Sequence, residues 1–255
     1  MHRPAPRLAA TIALAAALGG LGALGGLGGM LALAAPAGAA GTTATTGTAS
    51  HPTCTPATVV AAQQQLEAAL AGRVTVLGSL SGDVQAATGL AAADRATLTA
   101  TLATTSAGIG ALVQKAPTDT TCLALWQDAR SMVQSYRVYA VVAPQTHLAI
   151  AGDTADGIEA TLAGDEPAIQ GAIATAGKNG VNTAAAQASF ADLQAQVTAA
   201  QGATGGVSAT VLAQTPASYP GSSPVFVAAR DGVRTAYGDL KTAAADLQAI
   251  VADLR

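Results

Sequence analysis

The last stretch of the chain, VRTAYGDLKTAAADLQAIVADLR (residues 233–255), decides the fold class. Val233, Tyr237, Leu240, Ala244, Leu247, Val251 and Leu254 alternate by four and three residues throughout. That 3.5-residue period lays an apolar seam along one side of a helix that packs as helices do in coiled coils. The same spacing recurs upstream. Leu66, Leu70, Leu77, Leu80 and Val84 mark one helix, with Pro56 near its start. Leu98, Leu102, Ile109 and Leu112 mark a second, ending before Pro117. Leu125, Ala129, Met132, Tyr136 and Tyr139 mark a third that runs into Pro144. Leu148, Ala155, Ile158 and Leu162 continue to Gly164, where Asp165 and Pro167 read as an N-cap and first-turn proline of a restart carrying Ile169 and Ile173. Phe190, Leu193 and Val197 mark the helix before the last.

Composition agrees with that period. The chain of 255 residues is 50% hydrophobic but only 3% aromatic and 11% charged. Alanine, the best helix former, dominates, while valine and isoleucine are sparse and do not alternate. The expectation is an all-α fold: an elongated antiparallel helical bundle with coiled-coil-like packing and about five to six helices. Turns are expected near 177–182 (GKNGVN) and 215–224 (TPASYPGSSP), where glycine, asparagine and proline gather.

The first 40 residues stand apart. Arg3 and Arg7 precede an uncharged run from Leu8 to Ala35, and APAGAA (35–40) offers small-residue cleavage sites. That order reads as a secretory signal peptide over 1–40. The run is longer than a signal core needs and exceeds the ~20 residues that span a bilayer, so a retained membrane anchor is the alternative. Residues 41–53, GTTATTGTASHPT, read as a disordered Thr/Ala/Gly tether without the apolar side chains to order itself. The helical domain then covers 54–255.

From Gly41 onward the chain carries ten Lys and Arg against fifteen Asp and Glu, a net charge of −5. No basic cluster exists, which argues against nucleic acid as a partner. Cys54 and Cys122 are the two cysteines, and both lie beyond the export signal. An up-down-up path returns the third helix to the end where the first began, so the pair is expected as a disulfide. Closing a loop of that length stabilises by roughly 4 kcal/mol in the chain-entropy account. Two cysteines and two histidines after the signal do not assemble a zinc site, and no cofactor is expected.

The one compositionally rich segment is YRVYAVVAPQTHLAI, residues 136–150. Pro144 removes a helix donor and is expected to kink or end the helix. Two readings follow. In the first, the aromatic rings wedge apart an alanine-rich bundle, while Arg137, Gln145 and His147 satisfy backbone groups freed by the proline. In the second, Tyr136, Tyr139, Gln145 and His147 line a ligand pocket at the kink, with Arg137 as an anion clamp. A lone histidine without a nucleophile or orienting carboxylate makes no catalytic triad, so no enzyme activity is expected. Asp153, Asp156 and Glu159, three residues apart, read as a solvated helix face, with a weak divalent-cation site as the alternative.

Tyr136-Arg137-Val138-Tyr139 and Pro144-Gln145-x-His147, together with the cysteine and the signal, resemble uncharacterised secreted alanine-rich helical proteins of actinobacteria. The likeness covers about 54–175. It implies an exported helical fold and carries no activity. The sequence therefore points to a non-enzymatic protein of the cell envelope or extracellular space, acting through protein or cell-wall contacts or self-association along its helices. The alternative is a small-ligand-binding domain at the Pro144 kink. A membrane enters only if the N-terminal segment is retained.

Overall fold

The computed structural model describes residues 54–255, and Thr55 caps its first helix. The expected signal at 1–40 and tether at 41–53 lie outside the described residues. The Thr55 hydroxyl accepts from the Thr58 amide at 3.2 Å, and the Thr55 amide donates to the Thr58 hydroxyl at 2.7 Å. This reciprocal cap, with Pro56 at the first position, opens α1 (Pro56–Ala86). There follow α2 (Ala92–Lys115), a 3₁₀ turn (Ala116–Thr118), α3 (Cys122–Gln134), a π turn (Val138–Val142) and α4 (Ala143–Lys178). Then come α5 (Ala184–Thr204), the short α6 (Val207–Leu212), a 3₁₀ turn (Pro216–Ser218) and α7 (Ser223–Asp253). Every regular element among the described residues is helical. The fold is all-α, with six helices of thirteen residues or more besides α6.

Two hydrophobic cores stack end to end. The first gathers Leu70, Leu77, Leu98, Ile109, Leu125, Met132, Val141, Leu148, Val211 and Phe226 from α1, α2, α3, the π turn, the start of α4, α6 and the start of α7. The second gathers Leu162, Ile169, Ile173, Leu193, Val197, Leu240, Leu247 and Ile250 from α4, α5 and α7. Only α4 and α7 run through both. At 1.5 Å per residue, the 36 residues of α4 extend about 54 Å. Alanines at 155, 186, 200, 236, 243 and 244 fill the seams of the second core, so the helices lie close together. At Gly232 a Cβ would come within 2.6 Å of the Ala203 carbonyl oxygen, which reserves that position on α7 for glycine. The α2 region Ala92–Thr118 is long and apolar enough to cross a membrane, yet its Leu98, Leu102, Ile109 and Leu112 are buried in the first core.

Cys54 and Cys122 form the disulfide, with a Cα–Cα distance of 6.0 Å. It ties the start of α1 to the start of α3, so these two helices run parallel with α2 between them in sequence. Beside it, Gln63 Nε2 donates to the Ala116 carbonyl at 3.0 Å, and Lys115 bridges Asp119 and Asp128 at 2.9 and 2.8 Å.

Three local expectations are corrected. The third helix does not run through Tyr136 and Tyr139 into Pro144. It ends at Gln134, and Pro144 stands in the first turn of α4, where a missing amide costs little. Nor does α4 stop at Gly164 and restart at Pro167. It continues with Pro167 inside it, because Leu162, Ile169 and Ile173 lie on one unbroken buried stripe. Finally, the α7 seam is wider than a two-position stripe. Ala236, Ala243 and Ile250 are buried along with Val233, Leu240, Ala244 and Leu247, since α7 packs on both α4 and α5.

An interior proline is disfavoured by about 3 kcal/mol relative to alanine, through its lost hydrogen bond and its clash with the preceding turn. Packing on either side holds α4 together across it. Pro167→Ala is therefore expected to raise unfolding stability by up to about 3 kcal/mol, measured by urea denaturation. A loss of stability would place Pro167 at a deliberate bend.

Candidate functional site

Arg137 sets the geometry of the aromatic segment. Its backbone is left-handed, φ 41 and ψ 45, the one positive φ at a non-glycine residue among those described. Side-chain–bearing residues hold that region at a cost of about 1–3 kcal/mol unless the surroundings enforce it. Its carbonyl then receives the Ala140, Val141 and Val142 amides at 3.1, 2.8 and 3.4 Å, which starts the π turn. The break thus lies at residues 135–137, well before Pro144.

The break sends the predicted site residues to different neighbours. Tyr136 lies against α2, its ring over Gly108, where a Cβ would stand 2.1 Å from the ring. Tyr139 turns to α1. It is 40% exposed, with the Arg73 guanidinium 5.0 Å from its ring centre and its hydroxyl 3.4 Å from where a Gly72 Cβ would lie. Burial lowers the Arg73 pKa from its ordinary value, and Tyr139 opposes that shift. Arg137 stacks 4.5 Å over the ring of Tyr219, in the loop before α7, and its Nε is buried with no hydrogen-bond partner. Gln145 is 3% exposed, and its amide nitrogen donates to the Val211, Leu212 and Gln214 carbonyls at 3.1, 3.1 and 2.9 Å. Those carbonyls lie at and just past the end of α6, where a helix leaves its last carbonyls without intrahelical donors, and that of Val211 also accepts from the Gln214 amide at 3.1 Å. His147 is half-buried on α4, with no hydrogen bond to another described residue. Tyr136, Tyr139, Arg137 and Gln145 thus meet α2, α1, Tyr219 and the end of α6 respectively.

The acidic row on α4 is a further correction. Asp156 is exposed, but Asp153 and Glu159 are 7% and 3% exposed, so the row is no solvated face. Asp153 accepts from the Ala91 amide at 2.8 Å and from the Ser208 hydroxyl at 2.5 Å. One carboxylate thereby joins the start of α2, the middle of α4 and α6. Asp94, in the first turn of α2, lies close enough to the same carboxylate for its charge to be felt. Glu159 accepts from Thr204 at 3.1 Å, joining α4 to the end of α5. Farther along, Gln194 donates to Glu166 at 2.7 Å. The Ser208–Asp153 pair is buried within the fold and has no histidine bound to it, so it presents no activated nucleophile to solvent. Among the described residues no group of three or more His, Cys, Asp or Glu is placed to hold a metal ion.

Tyr219, Ser208 and Thr204 complete these contacts and are absent from the sequence reading. Each lies roughly fifty residues or more from its partner, and hydroxyl residues are too common in this chain to single out. A different feature was accessible to a helical wheel. On α3, Leu123, Trp126, Arg130 and Val133 share the face opposite buried Leu125 and Met132.

No family model, curated protein or solved structure matches this chain.

Three buried or crowded acids have pKa values above their ordinary ones. Burial is the largest cause for Asp94, followed by the charge of Asp153. Burial also dominates for Glu159, opposed by Thr204 and aided by Asp156, and for Asp246, aided by Asp192. A carboxyl whose pKa is raised by folding binds more protons in the folded chain, so it adds stability as pH falls through its folded value. That gain is complete below the ordinary values of 3.8 for aspartate and 4.5 for glutamate. Asp119 works the other way. Burial pushes it up, but hydrogen bonds from Lys115 and with Asp128, and the lysine's charge, leave it below 3.8. Its contribution is lost only as pH falls through that lower value.

Two expectations follow from these geometries. Gln145→Ala removes the side-chain donor from the Leu212 and Gln214 carbonyls, and is expected to cost about 1–3 kcal/mol in denaturant unfolding. His147→Gln, by contrast, is expected to change stability little. For the three raised acids, the contribution to stability is expected to grow as pH falls from neutral toward their ordinary values of 3.8 and 4.5. Glu159→Gln keeps an acceptor for Thr204 while removing the charge. It should melt above the parent near pH 8 and lose that advantage on acidification. An advantage of Glu159→Gln that persists unchanged on acidification to below 4.5 would contradict the assignment.

Proposed function

We propose that this chain is an exported, non-enzymatic helical protein of the cell envelope or extracellular space, working through protein or cell-wall contacts along its helices. The observation that carries this reading is how the distinctive polar residues are used. Gln145, Asp153 and Glu159 are taken up by internal hydrogen bonds that join helices, and the aromatic residues of 136–150 face separate elements. Little polar chemistry is left to converge on a substrate. The long surfaces of α1, α4, α5 and α7 are then the features available to a partner.

Export is supported by the disulfide, which persists in oxidising compartments, and by the basic, apolar and small-residue order of residues 1–40. A second reading, a small-ligand-binding domain at the break before α4, rests on one observation. The Arg137 Nε is buried without a partner beside Tyr219, and an anionic ligand would satisfy it.

Fractionation of cells expressing the full chain, followed by peptide mapping without reduction, tests the export half. The expected product is extracytoplasmic, begins between Gly38 and Gly41, and links the Cys54 and Cys122 peptides. A cytoplasmic product with both thiols free would refute it. Site-directed photocrosslinking on the exposed helix faces tests the contact half, with adducts to envelope protein or wall polymer expected. Those adducts should survive Arg137→Ala and His147→Gln. If these two variants fold normally yet abolish the protein's phenotype, the ligand-binding reading replaces the first.

A further inference from the structure

The described residues expose eight large hydrophobic side chains, and three of them share one face of the thirteen-residue helix α3. Leu123 is 64% exposed, Trp126 57% and Val133 50%. Arg130 lies between them, its guanidinium 5.4 Å from the Trp126 ring centre and its Nε donating to Gln134 at 2.8 Å. The face carries no acidic residue, because Asp128 points inward to Lys115. Burial of Leu125 and Met132 on the opposite side explains why α3 is a helix, but nothing inside the fold explains the outer stripe.

We propose that this face of α3 is a contact for the interfacial layer of a lipid bilayer. Three observations choose that occupant. The first is chemical. A tryptophan with aliphatic neighbours and an arginine over its ring suits the boundary between headgroups and acyl chains, where the ring and aliphatic carbons sink and the guanidinium stays at the phosphates. A wall glycan would call for free hydrogen-bonding groups around the ring, whereas here the Arg130 Nε is bonded to Gln134 and Leu123 and Val133 add apolar surface.

The second observation is size. The stripe is about 15 Å long, and its three side chains expose roughly 300 Å² together, well short of the ~800 Å² per partner in a stable protein interface. A second copy of the chain is therefore a poor fit.

The third is position. The disulfide fixes the start of α3 to Cys54, the residue at which the chain arrives from its N-terminal run. The intervening residues, 41–53, would span about 20 Å as a flexible tether. Whenever the apolar run of 8–35 sits in a bilayer, in transit or as a retained anchor, the start of α3 is held beside the point where that run joins the domain. The inference goes beyond the protein and wall contacts proposed above and rests on that reading only for an envelope location, where a bilayer is at hand, but its test needs no export.

Trp126 is the one tryptophan in the chain, so its emission reports on this face alone. The experiment adds the full chain to mixed phosphatidylcholine and phosphatidylglycerol vesicles. Association is not the readout, since the apolar run can supply it. The expected result is a shift of Trp126 emission to shorter wavelength, with quenching by lipids brominated high on the acyl chain. Leu123→Ser combined with Val133→Ser should abolish both changes while circular dichroism and vesicle association persist. Unshifted, unquenched emission from vesicle-bound parent protein overturns the proposal. So does a shift that appears without lipid and grows with protein concentration, which would mean self-association. A shift produced by isolated cell-wall polymer in the absence of lipid overturns it as well. None of these results bears on whether the chain is exported, so failure here leaves the fractionation test standing on its own.

Discussion

The helix α4 gives its first half to one hydrophobic core and its second half to another, and that division places every other helix. α1, α2, α3 and α6 gather around the start of α4, whereas α5 packs along its second half. α7 runs beside α4 from the first core into the second, with the Tyr237 hydroxyl donating to the Ala151 carbonyl at 3.3 Å near the junction. A break in α4 would leave α7 as the one remaining helix between two small bundles, the second built on alanine seams. Small cores are marginal because the buried fraction of surface falls with size, so the continuity of α4 across Pro167 matters more than local propensity.

Alanine seams bring helices close but contribute little apolar area per residue. They also leave helices free to slide, since an alanine fits the groove at many registers. Buried polar contacts remove that freedom. Gln145 accommodates the end of α6 in one position only, Asp153 joins α2, α4 and α6, and Glu159 fixes the end of α5. Each is a buried group that loses far more if misregistered than it gains when paired. Specific register is their contribution, and some of them carry a charge cost at neutral pH. The disulfide acts at the far end of the first bundle, where α1 and α3 share little apolar surface with α4.

Much of this was legible in the chain. The leucines at three- and four-residue spacing mark α1, α2, α5 and α7, and an up-down-up path brings Cys54 to Cys122. What was not legible has a physical cause in each case. A left-handed arginine has no sequence signature, so Pro144 drew the break that Arg137 makes. Asp165 and Pro167 carry a valid restart signal, which continuous packing of Leu162, Ile169 and Ile173 overrides. Asp153 and Glu159 look like surface acids until Ser208 and Thr204 arrive from distant helices. The candidate residues of 136–150 are adjacent in sequence, but one positive φ fans them onto different neighbours.

Native-state hydrogen exchange along α4 tests the central claim most directly. If α4 couples the two cores, its slowest amides in the first half, near Leu148, and in the second half, near Ile169, should exchange through the same global opening. They should then share one free energy and one denaturant dependence. Two distinct opening free energies, with the second half exchanging while the first stays protected, would show two independent bundles joined by a helix and contradict the account.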